Sequence, residues 1–179
     1  MKKILALAAA MLLAASLAYA QLGGTPPYNS SLTVTVGPEA ALAINTATTN
    51  LTSTGTNFSN YSGTTGFTYF IRTTQTGGTG NIQLQITSDF SPANGPSVAS
   101  PPTSTDKLAY NCTVSAPGSA CSTGQTALTT GPTPVASFGA NARSAYAGNS
   151  GSVVWSLTND PMYYTGSYAA TATFTISAT

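Results

Sequence analysis

The residues able to carry acid–base or nucleophilic chemistry are few, and their spacing gathers none of them into a motif. There is no histidine, and five basic and four acidic residues make up all the charge. Without an imidazole there is no Ser-His-Asp or Cys-His pair and no His-ligated metal. Glycoside hydrolysis needs two carboxyl groups in one cleft. Glu39, Asp89, Asp106 and Asp160 instead lie scattered beside turn signals or strand ends, and each is expected as a turn-former or a solvated charge. Lys107 follows a proline-rich stretch and neighbours Asp106, a poor setting for a Ser-Lys dyad. Gly77-Gly78-Thr79-Gly80 joins two strand-like runs and opens no helix, so a turn is expected rather than a phosphate loop. No Asp-rich calcium loop occurs; backbone carbonyls with one or two acids are the form left to a calcium site. The expectation is a chain with no catalytic residue, no cofactor and no metal, and not an enzyme.

Two cysteines remain, Cys112 and Cys121. Between them runs Thr-Val-Ser-Ala-Pro-Gly-Ser-Ala, whose Pro117-Gly118 turn signal could fold the segment back on itself. The spacing is not Cys-x-x-Cys and no histidine accompanies it, so a disulfide is favoured over a metal or redox pair. Closing so small a loop contributes roughly 2–3 kcal/mol on chain-entropy grounds.

A disulfide requires an oxidising compartment, and the start of the chain supplies an export signal. Lys2 and Lys3 precede an apolar run from Ile4 to Leu17, followed by the small-x-small site Ala18-Tyr19-Ala20. Residues 1–20 are therefore expected to be removed and Gln21 to begin the mature chain, leaving 159 of the 179 residues. That is enough for one domain with a proper core. The mature charges are Arg72, Lys107 and Arg143 against the four acids. Such a balance offers no basic surface for nucleic acid, and no later stretch is apolar enough to insert in a membrane. A secreted or cell-surface location is expected.

The elements that must position these residues are strands. Period-two alternation recurs and helical periodicity does not. Leu32, Val34 and Val36 alternate with Ser and Thr; Ala40 to Ile44 resumes after Gly37-Pro38; Leu51 marks a short further strand. Gly66 to Thr74 and Asn81 to Thr87, with the glycine-rich link between them, read as a β-hairpin. Ser91 to Thr105 is expected as a surface loop, followed by strands at Leu108–Val114, Pro134–Phe138, Val153–Leu157 and Tyr168–Thr179. Trp155 is expected as a core anchor between sheets. About nine or ten short strands predict an all-β fold: a single antiparallel β-sandwich, Ig-like or pilin-like with Greek-key connections, over residues 31–179. Residues 21–30, with Gly23-Gly24 and Pro26-Pro27, read as a flexible arm, or as the frayed tail of an ordinary first strand.

Soluble β proteins usually guard edge strands with lysines, inward charges or bulges. Ser31–Val36 and Tyr168–Thr179 carry no charge at all. Either the architecture is closed and hides them, or they pair with another chain.

The ending Trp155-Ser-Leu-Thr-Asn-Asp-Pro-Met-Tyr-Tyr-Thr-Gly-Ser-Tyr-Ala-Ala-Thr-Ala-Thr-Phe-Thr-Ile-Ser-Ala resembles that of secreted bacterial β-sandwich proteins of the spore-coat-U and fimbrial-subunit type. There a Tyr-x-Gly-x-Tyr turn leads into the final strand, and Tyr164, Gly166 and Tyr168 hold those places here. The likeness covers the last quarter of the chain. It departs from that pattern in its cysteines, which sit close together mid-chain instead of joining an early strand to a later one. The resemblance implies an extracellular structural or appendage role, assembled by donor-strand exchange, and transfers no catalytic residue.

The expected function is thus a non-enzymatic exported subunit of an extracellular filament, pilus-like fibre or surface layer. Its partners are copies of itself, through Leu32, Val34, Val36, Tyr168, Phe174 and Ile176. The alternative is a secreted module binding carbohydrate or a surface, with Tyr61, Tyr69, Tyr146, Tyr163 and Tyr164 stacking on glycans.

Overall fold

A computed structural model describes residues 29–53 and 55–179. The expected signal, residues 1–20, and all but the last two residues of the expected arm lie outside the described residues. Two compact units are distinguished, Met1–Thr35 and Val36–Thr179. In the first, residues 29–35 form no regular secondary structure and are exposed. The second contains every strand found among the described residues.

The fold is all-β. Among the described residues nine strands are formed: β1 (Glu39–Ile44), β2 (Tyr61–Arg72), β3 (Gly80–Ser91), β4 (Leu108–Val114), β5 (Ser119–Ala120), β6 (Gln125–Thr126), β7 (Thr133–Phe138), β8 (Asn149–Leu157) and β9 (Ala169–Ala178). They build two antiparallel sheets, one ordered β1-β2-β8-β4-β6 and the other β5-β7-β3-β9, as a β-sandwich.

Alternation decides which side chains meet between the sheets. On β2, Phe67, Tyr69 and Ile71 point inward; on β3, Ile82, Leu84 and Ile86 do; on β8, Val153, Trp155 and Leu157 do. All are at most 5% exposed. Each contributes roughly 1.5–3 kcal/mol by leaving water. Buried polar tips find partners, as they must in a dry interior. The Trp155 indole N–H donates to the Thr65 hydroxyl at 2.8 Å, and the Tyr110 hydroxyl donates to the Pro134 carbonyl at 2.8 Å. Trp155 is the core anchor its sequence setting suggested.

Three local expectations are corrected. β2 and β3 are not a hairpin: they belong to different sheets. Both bury the same phase of their alternation, so their apolar faces oppose each other across the core instead of sharing one face. The glycine-rich link is an arch between layers. Gly77 takes φ +71°, and a Cβ on Gly78 would come within 2.5 Å of the Thr74 backbone. Second, among the described residues Ser31–Val36 contains no strand. Third, the Leu51 segment contributes one isolated bridge, Thr52 to Ser62.

The cysteines pair as expected, Cys112 with Cys121, with Cα atoms 5.6 Å apart. Cys112 lies on β4 and Cys121 directly follows β5, so the bridge staples one sheet to the other. The last residue is also held. The Thr179 N–H donates to the Thr79 carbonyl at 2.8 Å, and its carbonyl accepts from the Thr74 N–H at 3.0 Å, both on the arch.

Candidate functional site

One side of the sandwich is left open. β9 ends its sheet and pairs only with β3, from Gly80 opposite Ala178 to Ser91 opposite Ala169. Its other edge makes no backbone hydrogen bond among the described residues. β1 ends the facing sheet in the same way, paired only with β2. Among the described residues neither architectural closure nor a charged guard protects β9.

The inner face of β9 is correspondingly half-buried. Ala170, Ala172, Phe174, Ile176 and Ala178 pack against the core without being covered by it. Between the first half of β9 and the chain that follows β1 lies a cavity of about 940 Å³. Ile86, Trp155, Leu157, Ala172 and Phe174 line it within the sandwich, Thr46 to Leu51 border it on one side, and Asp160 is the single charged residue on its wall. The result is a slot with an apolar floor and a largely hydroxyl and amide rim, beside a row of unpaired backbone donors and acceptors.

The turn entering β9 is built by the Tyr164, Gly166 and Tyr168 pattern. The Tyr168 hydroxyl donates to the Tyr164 carbonyl at 2.7 Å, and the Tyr164 N–H donates to the Asn94 carbonyl at 2.9 Å. A Cβ on Gly95 would lie 2.2 Å from the Tyr168 ring, so only glycine lets that ring close over the loop. The loop itself is pinned by Asp89. Its carboxylate accepts from the N–H groups of Phe90, Val98 and Ala99 at 2.8–3.0 Å and from the Ser97 hydroxyl at 2.6 Å. Burial alone would raise its pKa; those four bonds outweigh burial and hold it below the usual carboxylate value.

The sequence-derived contact residues fall into two groups. Phe174 and Ile176 sit on the half-open face of β9, with the Phe174 ring 6.2 Å from that of Phe67 and Ile176 opposite Ile82. Tyr168 is engaged within its own turn. Leu32, Val34 and Val36 are 96%, 83% and 62% exposed. Just beyond Val36 the chain is tied down: Arg72 Nε donates to the Gly37 carbonyl at 2.7 Å and its Nη2 meets Glu39 at 2.9 Å.

The five tyrosines do not form one strip. Tyr69 is fully buried, where burial raises the pKa of its hydroxyl and the Gly118 N–H bond lowers it again in part. Tyr146 is fully exposed and away from the cavity, whereas Tyr61, Tyr163 and Tyr164 line it. Among the acids, Asp106 is the turn-former of the two expected alternatives and not a solvated charge, since it is 6% exposed. Its backbone N–H turns back to donate to the Thr103 carbonyl at 3.1 Å. Sequence reasoning missed Asp89 and Asp106 because proline- and serine-rich surroundings signal a surface loop and do not reveal which acid the loop wraps. The chain matches no family model, no curated protein and no solved structure.

Proposed function

We propose that this chain is an exported, non-enzymatic structural subunit that polymerises by strand addition. In this reading residues 31–36 of one copy lie along the free edge of β9 in the next, with Leu32, Val34 and Val36 entering the slot. The observation that carries it is the coexistence of the two halves of such a joint. The acceptor is an uncharged strand with one free edge, beside an open cavity with an apolar floor. The donor is an uncharged alternating segment whose three apolar side chains face water.

The match has physical content. Main-chain hydrogen bonds along β9 would supply affinity, and alternate side-chain pockets would set register. Ala170, Ala172 and Phe174 give three inward positions along the slot, equal in number to the apolar residues of the donor. Each donor side chain buried would return roughly 1.5–3 kcal/mol, part of it offset by the cost of association. Donor and acceptor are different surfaces, so the contact is heterologous and propagates to a fibre if its rotation does not close. The disulfide supports an oxidising, extracytoplasmic setting.

Deletion of residues 21–36 tests this. Electron microscopy and sizing of the intact chain are expected to show polymers, and the deleted chain to remain a folded monomer. Polymers that survive the deletion would refute strand donation.

A second reading rests on Tyr61, Tyr163 and Tyr164 at the cavity, with Phe58 and Tyr164 exposed. Such a wall suits sugar stacking in a secreted glycan-binding module. A glycan array without a binder removes it.

A further inference from the structure

The root of the donor segment and the slot it is assigned to lie at opposite ends of the sandwich. β9 begins at the end where Ser91 faces Ala169 and finishes at the other, where Gly80 faces Ala178. The root belongs to the second of these. Glu39 faces Arg72 there, Arg72 bridges to Arg143, and Val36, Gly37 and Pro38 share a cavity of about 440 Å³ with both arginines. The slot lies at the first end, along Ala170, Ala172 and Phe174. Its wall includes Asp160, shortly beyond the end of β8, together with Phe58 and Tyr164.

Two observations bear on what covers that rim. Phe58 holds φ at +56°, in the left-handed region that so bulky a residue avoids. Hydrogen bonds keep it there: the Ser59 N–H donates to the Thr56 carbonyl at 3.0 Å, and Asn159 Nδ2 to the Ser59 carbonyl at 3.1 Å. The ring is nevertheless 60% exposed, so burial within its own copy does not offset the strain. Strain of this kind, held by its surroundings, concentrates at contact sites. Tyr164 beside the same slot is 68% exposed.

The second observation is charge complementarity between the two ends. Among the described residues the one ion pair joins Arg72 to Glu39. Arg143 is exposed and donates through Nε and Nη2 to Asn141 Oδ1 at 3.1 and 2.6 Å, a neutral acceptor. Asp160, half-buried at the slot, has no lysine or arginine within 4.0 Å among those residues.

We propose, resting on the strand-addition reading, that copies stack end to end. The root end of one seats on the slot rim of the next, Arg143 meets Asp160 of the next copy, and Phe58 and Tyr164 close around Gly37-Pro38. The donor then enters with Val36 beside Ala170 and Leu32 beside Phe174, antiparallel to β9. The opposite orientation would bring two root ends together and set arginines against arginines. Rim charges act chiefly on encounter rate and orientation, so the pair governs speed and direction more than affinity.

Cross-linking and assembly kinetics of the full chain test this. Both native cysteines are paired, so introduced thiols react alone. Val36→Cys combined with Ala170→Cys is expected to cross-link between copies through a short thiol reagent, and Leu32→Cys combined with Ala170→Cys is not. Arg143→Glu and Asp160→Lys are each expected to slow assembly about tenfold at low salt, and the double variant to recover it. Phe58→Asn, whose side chain tolerates the left-handed region, is expected to melt no lower than the parent and to assemble more slowly. Polymers that cross-link only through the Leu32→Cys pair overturn the end-to-end contact and leave strand donation standing. A folded double variant no faster than either single one overturns it too. Asp160 Oδ1 accepts from the Met162 N–H at 2.7 Å, so where Asp160→Lys does not fold, the cross-links decide. Polymers that survive deletion of residues 21–36, or a parent that never polymerises, remove strand addition itself and this contact with it.

Discussion

The two flanks of the sandwich are made from the same kind of strand and end in different states. Around β2, β8 and β4 opposite β3 and β7, inward side chains such as Phe67, Val153 and Val135 are fully buried. Along β1 and β9 the inward positions are only half-buried, although the alternation is as regular. The difference is neighbours: β2 and β8 have a strand on each side, whereas β1 and β9 have one. Alternation therefore specifies a face, and the presence of flanking strands decides whether that face becomes dry.

That contrast can be broken or sharpened by measuring monomer stability and assembly together. The largest loss is expected on the closed flank. Phe67→Ala should cost about 3–5 kcal/mol in urea unfolding, through lost burial and the cavity left behind. Replacing both cysteines by alanine should cost about 2–3 kcal/mol, since the staple closes a short loop between the sheets. Loss of less than half of that would show that the sheets are held together without it.

Asp89→Ala should cost on the order of 2 kcal/mol, because three backbone donors lose a charged acceptor. Its pH dependence has a definite sign. The folded pKa lies below the unfolded one, so the contribution is fully present above the unfolded value, about 3.9. It fades as pH falls through the lower folded value. The stability gap between the parent and Asp89→Asn should therefore be constant near neutrality and narrow below pH ~4.

The open flank should behave differently. Phe174→Ala is expected to cost the monomer less than Phe67→Ala, about 2 kcal/mol, since its ring is only partly buried, while strongly reducing assembly. Val34→Asp is expected to leave the monomer within about 0.5 kcal/mol of the parent and to abolish polymers seen by electron microscopy. Equal losses at Phe67 and Phe174 would mean that the two flanks do not differ.

Much of the fold was legible because alternation writes itself directly into sequence. β3, β4, β8 and β9 lie where Ile82-Leu84-Ile86, Leu108-Tyr110-Cys112, Val153-Trp155-Leu157 and Phe174-Ile176 indicated. Sheet membership was not legible. The Gly77–Gly80 link reads equally well as a hairpin turn or an arch, and only the opposing apolar faces of Ile71 and Ile82 separate the two. The Ser31–Val36 alternation was legible as a pattern but not as a pairing, because a strand needs a partner that its own residues do not encode. The open slot was readable only in its edge residues on β9. Leu51 and Phe58 reach it through chain outside the strands, whose path no periodicity reports.

The stitching of Thr179 to the Gly77–Gly80 arch has a directional consequence. With Tyr168 hooked to Tyr164 at its start and Thr179 clasped by Thr74 and Thr79 at its finish, β9 is anchored at both ends. In the proposed polymer a strand so moored would receive a visitor rather than become one. Growth of any chain of these molecules would then have a fixed polarity, with one terminus always giving and the other always taking.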